Sequence, residues 1–291
     1  MASVTSDATE VLSLDTIKLG KQALIFVNSK RSAEKTAEDI SKKFSHVNLP
    51  ELKEKVLSSL SVPTRQCERL AGCIVRGIAF HHAGLTNSQR ELIETKFKEG
   101  QVKIICATPT LAAGVNLPAY RTIVKDLRRF SNFGMSWIPV LEYLQMSGRA
   151  GRPDYDVEGQ SIIIAKTEAE RDDIWERYIK GSPESIYSKL AVEPVLRTYV
   201  LSLIATGFVR TRQQMLDFFK ETFWAHQYGD MEKLGMIVDK MINLLQQFGF
   251  IEGASLFVSA SEIEDKLTAT AIGRRVSELY IAPLTAHNFV D

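Results

Sequence analysis

Short apolar runs recur along the first part of the chain: QALIFV (22–27), IAFHHAG (78–84), VKIICA (102–107), RTIVK (121–125) and SIIIA (161–165). Between them lie stretches with helical spacing. KRSAEKTAEDISKKF follows the first run, amphipathic segments fall near 50–60 and 63–76, and TNSQRELIETKFKEG starts at Thr86 and Asn87 and is closed by Gly100. Strands alternating with helices predict an α/β fold, a mostly parallel sheet with helices on both faces. Ligands of such sheets gather at the carboxyl ends of the strands.

Polar residues follow three of these strands. Asn28-Ser29-Lys30-Arg31 combines a hydroxyl, two cations and a helix start, a set suited to phosphate. His81-His82-Ala83-Gly84-Leu85 follows the second strand, and the segment from Ala107-Thr108-Pro109-Thr110 to Gly114-Val115-Asn116-Leu117-Pro118 follows the third. Taken singly, each is more often a capped loop than a binding site. Further on, Gln145-Met146-Ser147-Gly148-Arg149-Ala150-Gly151-Arg152 sets two guanidinium groups three positions apart, which predicts one face of a helix turn. Arginine forks match phosphate oxygens, and Gly148, Ala150 and Gly151 admit a polyanion close to the backbone, a geometry suited to a triphosphate. The plainer alternative is a pair of arginines on a solvated helix end.

In this order, from about residue 22 to 166, the motifs resemble those of the second RecA-like lobe of superfamily 2 helicases. The resemblance is to the Ski-like branch, which includes the archaeal Hjm-type DNA helicases and the helicase part of polymerase theta. It implies that Arg149 and Arg152 act as fingers on the ATP γ-phosphate, with Gln145 beside the attacking water. An arginine finger is worth roughly 10³ to 10⁵ in rate. It also implies that Ser29, Lys30 and Arg31 touch the backbone of a bound single strand, and that Gly84 and Arg90 belong to the next phosphate-contacting motif. His82 is equally suited to ordering that loop. Thr108 matches a threonine on a strand phosphate, and Gly114 and Asn116 match positions that face the nucleotide. One segment would thus face both ligands, as coupling between them requires.

Between the strand at 121–125 and the arginine motif, DLRRFSNFGMSWIPVLEY carries Phe130, Phe133 and Trp137, with Arg128, Arg129 and a turn at Gly134. Its aromatics could pack on their own sheet. The resemblance implies instead a strand-separating β-hairpin that includes Arg128, Arg129, Phe130 and Phe133. Splitting a base-pair step costs on average roughly 1.4 kcal/mol of stacking. An aromatic tip returns about 1 to 3 kcal/mol by stacking on an exposed base. Such a hairpin assists unwinding but does not accomplish it without ATP.

GRPDYDVEG (151–159) is a turn-rich connection, and the helix TEAERDDIWERYIK (167–180) closes the first domain at Gly181-Ser182-Pro183. Beyond it EPVLRTYVLSLIATG, TRQQMLDFFKETFWAH and MEKLGMIVDKMINLLQQFG predict three helices, with Met236, Val238, Met241, Leu244 and Leu245 as a core stripe. FIEG, FVSA and LTATA predict short strands before a final helix, which makes a winged-helix domain. Winged helices often place their second helix in a DNA groove. Here that region carries Arg210, Arg212 and Lys220 but also Asp217 and Glu221, a weak DNA signal that favours packing against the motor lobe. The expected domains are a helicase lobe over 1–184, the winged helix over 185–270, and over 271–291 the start of a truncated helical domain.

The 36 basic and 35 acidic side chains nearly cancel, so only a local basic stripe would mark a nucleic-acid surface. Cys67, Cys73 and Cys106 form no framework, and His46, His81, His82, His226 and His287 are too scattered for a metal site. No apolar run reaches the length of a membrane span and the start lacks a signal peptide. A cytoplasmic location, nucleoid-associated in a prokaryote or archaeon, with no membrane partner, is expected. No GxxxxGK(S/T) loop or DExH box occurs, and LGKQ (19–22) lacks both the upstream glycine and the hydroxyl after lysine. Nothing in the chain would cradle a β-phosphate or hold magnesium, so this polypeptide alone is not expected to hydrolyse ATP.

The resemblance therefore implies half a motor, part of an ATP-dependent 3′–5′ DNA helicase acting on forked, recombination or repair intermediates. Its implied partners are single-stranded and forked DNA, a first RecA-like lobe and a ratchet domain. ATP and Mg2+ are the implied cofactors of the complete enzyme, with none held tightly here, and the protein is expected to be monomeric. Two alternatives stand beside it: a non-catalytic adaptor binding nucleic acid or a motor partner, and an RNA helicase of the same branch. Retention of Gln145, Arg149 and Arg152 argues against the adaptor.

Overall fold

The structure, a computed structural model, describes residues 7–44, 47–131, 134–152, 156–253 and 266–290. The chain divides into two compact units, Met1–Glu184 and Ser185–Asp291. In the first, the apolar runs form β1 (Ala23–Phe26), β2 (Ile78–His81), β3 (Ile104–Ala107) and β4 (Arg121–Val124). After them come a hairpin, β5 (Arg128–Ser131) with β6 (Gly134–Trp137), and then β7 (Gln160–Ile163). The main sheet has the order β2-β3-β1-β4-β7, and every neighbouring pair is parallel. All four residues of β1, β2, β3 and β4 are buried. Because successive side chains point to opposite faces, both faces of the sheet are covered.

The helices of this unit are α1 (Ala8–Lys18), α2 (Lys30–Lys43), α3 (Pro50–Leu57) and α4 (Arg65–Ile74). They continue with α5 (Asn87–Lys98), α6 (Thr110–Gly114), α7 (Val140–Ser147) and α8 (Glu168–Ile174), the last running on as a π-turn over Trp175–Ile179. Helix α5 begins where Thr86 and Asn87 signalled, and a capping box holds the start: Thr86 accepts from the Gln89 N–H while Gln89 reaches back to the Thr86 N–H. Helix α1 is an addition to the sequence reading. Its buried side chains are Thr9, Ser13 and Thr16, and the guanidinium of Arg121, itself 4% exposed, donates to Leu12 O, Asp15 and Thr16.

The second unit holds α9 (Glu193–Ala205), α10 (Arg212–Lys220), α11 (Phe223–Tyr228) and α12 (Met231–Gln247). A short ribbon of β8 (Ile251–Glu252) and β9 (Thr268–Ala269) precedes α13 (Ala271–Glu278) and α14 (Pro283–Val290). Its core gathers Leu196, Val200, Met215, Phe219, Leu234, Val238, Met241 and Leu245. Two details differ from the sequence reading. TRQQMLDFFKETFWAH is two helices, because the Thr222 side chain caps a new start at Ala225 N–H. Met236 is 68% exposed, off the buried stripe of α12, and Leu244 is half-buried. The FVSA segment lies outside the described residues.

Candidate nucleic-acid and nucleotide interface

Strand order turns three scattered motifs into a row. Neighbouring strands lie about 4.8 Å apart, so the carboxyl ends of β2, β3, β1 and β4 make an edge roughly 14 Å long. Along it stand Gly84 after β2, Thr108 after β3 and Ser29 after β1, with the hairpin beyond β4. Ser29 caps α2, its Oγ accepting from Ser32 N–H at 3.1 Å, and Ser29, Lys30 and Arg31 are exposed. Thr108 Oγ1 lies 2.9 Å from Thr110 Oγ1. Arg90, half-buried on α5, is bound to Asn87.

His82 orders the loop. It is wholly buried, stacks on Phe80 with ring centroids 5.5 Å apart, and its Nδ1 accepts from Gly84 N–H at 3.1 Å. Nε2 is therefore the protonated nitrogen, and it donates to Glu34 Oε1 at 3.2 Å. Burial holds the His82 pKa down against the pull of Glu34, so the ring is neutral at neutral pH. Glu34 on α2 is itself held ionised: burial opposes ionisation, but Gln66, Arg69 and His82 together outweigh it. A buried network thus joins the start of α2 to the Gly84 loop.

The hairpin places Phe130 at 81% exposure, directly opposite Met135 at 61%. Met135 is a second apolar side chain on the ribbon, one that an aromatic pattern in the sequence does not reveal. Trp137 belongs to the root instead. The Arg128 guanidinium lies 4.0 Å from its ring centroid, and Tyr178 lies edge-on at 6.0 Å. Asn28 Nδ2 donates to Arg128 O at 3.1 Å, fastening the root to the row. Arg129 binds both carboxylate oxygens of Glu142. Phe133 lies outside the described residues.

The arginine motif departs from its expected form. Helix α7 ends at Ser147 with Gly148 as its cap, so Gln145 is exposed on the helix while Arg149 and Arg152 follow on a loop, not on one helix face. The backbone explains this. Gly151 has φ +91°, Ala150 pairs with Ala119, and Gly151 packs so close to Gly159 that a side chain at 159 would overlap it. Arg149 donates Nε to Ala112 O at 3.1 Å and reaches Asn116 Oδ1 at 3.5 Å, so the structure does bring Arg149 and Asn116 together. Arg152 grips Asp156 through Nε (2.7 Å) and NH2 (3.1 Å) and donates to Gln22 Oε1 at 2.9 Å. Lys21 adds a second cation on Asp156 at 2.6 Å. The Asp156 side chain is 1% exposed, and the Arg152 and Lys21 bonds hold its pKa down to about 2. Gln22 precedes β1, so this loop sits at the amino ends of the strands, opposite the row.

Residues 6–154, half of the chain, match the helicase conserved C-terminal domain. The chain belongs to that helicase family. Residues 159–252 match a helix-turn-helix domain. Over 286 residues the chain is 44% identical to the ATP-dependent DNA helicase Hel308 of Pyrococcus horikoshii, covering 97% of this chain and 38% of that protein. The Hel308 of Methanocella arvoryzae is 43% identical over 96% of this chain and 37% of its own length, and that of Pyrobaculum calidifontis 37% identical over 98% and 40%. This helicase lobe and its helix-turn-helix unit thus span about two fifths of those curated relatives, and the likeness to archaeal superfamily 2 helicases runs through nearly all of it. In the helix-turn-helix unit, Arg212 binds Asp239 at 2.5 and 2.6 Å and Lys220 binds Asp217 at 2.9 Å, which thins the basic face of α10. Among the described residues no helix is long and apolar enough to cross a membrane.

Proposed function

We propose that this chain is the second RecA-like lobe and winged-helix domain of an ATP-dependent 3′–5′ DNA helicase acting on forked, recombination or repair intermediates. One observation carries the reading: Gly84, Thr108 and Ser29 form a row that ends at a hairpin with Phe130 exposed. ATP and DNA come from the names of the relatives, and the polarity from the family resemblance. A single strand runs along the row, its phosphates met by Ser29, Lys30, Arg31, Gly84, Arg90 and Thr108. The duplex parts at Phe130 and Phe133. The enzyme works in the cytoplasm as a monomer, with a first lobe and a ratchet domain as its other parts.

The residues at the arginine loop suit the γ end of a triphosphate. Gly114 has open space where a side chain would stand, Asn116 is exposed, and two guanidinium groups follow within four positions. When bound, ATP with magnesium supplies the transferable phosphoryl group. Arg149 and Arg152 stabilise charge on it, and Gln145 orients the water. Among the described residues no His, Cys, Asp and Glu cluster could hold a metal, so in this proposal the first lobe binds magnesium. The long bond from Arg149 to Asn116 and the neutral Gln22 partner of Arg152 are the contacts a phosphate oxygen displaces most easily.

The adaptor reading draws on one fact, that both guanidinium groups are engaged within the lobe. Hydrolysis separates the two. The chain alone should turn over no ATP on single-stranded DNA, and a mixture with a first lobe carrying the phosphate loop should. Strand binding without hydrolysis in the mixture would favour the adaptor. In the active mixture, Phe130→Ala with Met135→Ala should lower unwinding of a fork well below its effect on strand-stimulated hydrolysis. Equal losses would remove the wedge.

A further inference from the structure

We infer that the Arg129–Glu142 ion pair makes the hairpin and α7 move as one body, so that Glu142 couples the arginine loop to strand separation. The inference rests on the helicase reading above. Helix α7 crosses from the carboxyl ends of the strands to the amino ends: the hairpin precedes it and the arginine loop follows it. Its eight residues span about 12 Å.

The hairpin has one covalent joint to α7, residues Ile138 and Pro139, on the β6 side. Ile138 is 3% exposed and its N–H bonds Leu127 O at 2.9 Å, so the joint is fixed in place. A ribbon held at one joint can still tilt. The root is further held by Trp137, with Arg128 at 4.0 Å and Arg177 at 5.6 Å from its ring, and by Tyr178, which touches Tyr143 of α7 at 5.3 Å between centroids. Above the root, among the described residues, an ion pair reaches α7 from the other strand. Arg129 NH1 meets Glu142 Oε1 at 3.0 Å and Oε2 at 2.9 Å, one residue before exposed Phe130. The two attachments lie on opposite strands, since Arg129 pairs with Ser136, so tilting the ribbon breaks the ion pair.

At its far end α7 delivers the chain to Arg149 and to the Ala119–Ala150 bridge. Coupling requires an element that both sites bias, and a rigid helix carrying the wedge at one end and the guanidinium groups at the other meets that condition. Glu142 is thus a positioning residue, acting through Arg129 and touching neither ligand. An exposed pair contributes little to folding, so its removal tests position more than stability.

The test uses the helicase assembled from this chain and its first lobe, with Glu142→Gln and the charge-retaining Glu142→Asp. Glu142→Gln should slow fork unwinding about fivefold, the factor that about 1 kcal/mol represents, with strand-stimulated kcat and KM for ATP within about twofold of the parent. Glu142→Asp should recover most of the unwinding. Unchanged unwinding, or unwinding and hydrolysis falling in step, would overturn the inference. A parent that hydrolyses ATP but opens no fork would sink the helicase reading instead. In that event hydrogen exchange still decides the mechanical part: the Arg129 and Ser136 amides of Glu142→Gln, which face each other across the ribbon, should exchange faster while those of Gln145 to Ser147 do not, and equal rates would refute the tie.

Discussion

Asp156 is the residue on which the arginine loop depends. Its carboxylate, 1% exposed, receives Arg152 and Lys21 at once. A carboxyl whose folded pKa is depressed stabilises the fold above its unfolded value and loses that contribution as pH falls through the folded value. With about 2 in the fold against an ordinary 3.8, the window runs from about pH 4 down to about pH 2, and the contribution above it is about 2 kcal/mol. Asp156→Asn should therefore lower the stability of the first unit by about that amount at neutral pH and flatten its acid limb. Urea unfolding followed through Trp137 and Trp175, in a Trp224→Phe background, would measure both. An unaltered acid limb would refute the assignment. The same pairing complicates the obvious finger test, since Arg152→Ala also leaves a buried carboxylate short of a partner. Hydrolysis by that variant has to be read beside its stability.

At the scale of elements, the central strands β1 and β3 were legible because each is a continuous apolar run, the pattern that two covered faces demand. Helix α1 was not legible, because the side chains it buries are Thr9, Ser13 and Thr16, the last two with hydroxyls bonded to the helix's own carbonyls, and such residues leave no apolar period. The break after α10 was hidden in a run of aromatic residues that looks continuous until Thr222 caps a new turn. Motif order singled out Ser29, Gly84 and Thr108, which the fold sets along one sheet edge, and Asn116 and Arg149, which it brings within 3.5 Å of each other. Glu142 and Asp156 could not be found that way, since a carboxylate gains meaning only from the cation that folding brings to it. The loop after α7 was misread as helix because RxxR spacing is blind to backbone, whereas the close crossing of Gly151 and Gly159 decides its path. Gly159→Ala should displace that crossing and abolish hydrolysis in the assembled enzyme while strand binding along the row persists. Normal hydrolysis would show that the loop tolerates the shift.

At the scale of the whole chain, two separate cores carry the two units. Phe219, wholly buried and 5.8 Å from the Trp224 ring, anchors the second. Phe219→Ala should cost that unit about 3 kcal/mol or more, read from Trp224 fluorescence during urea unfolding. A loss below about 1 kcal/mol would mean that the ring is not the anchor. The crossover from β4 to β7 also sets a rule of helical phase. Each residue inserted into α7 would turn the arginine loop by about 100° and advance it about 1.5 Å relative to the hairpin. Residues added within the hairpin, ahead of α7, alter no phase at all. In the proposed helicase, a longer hairpin would therefore reshape the wedge without turning the arginine loop, whereas a longer α7 would turn that loop away from the nucleotide.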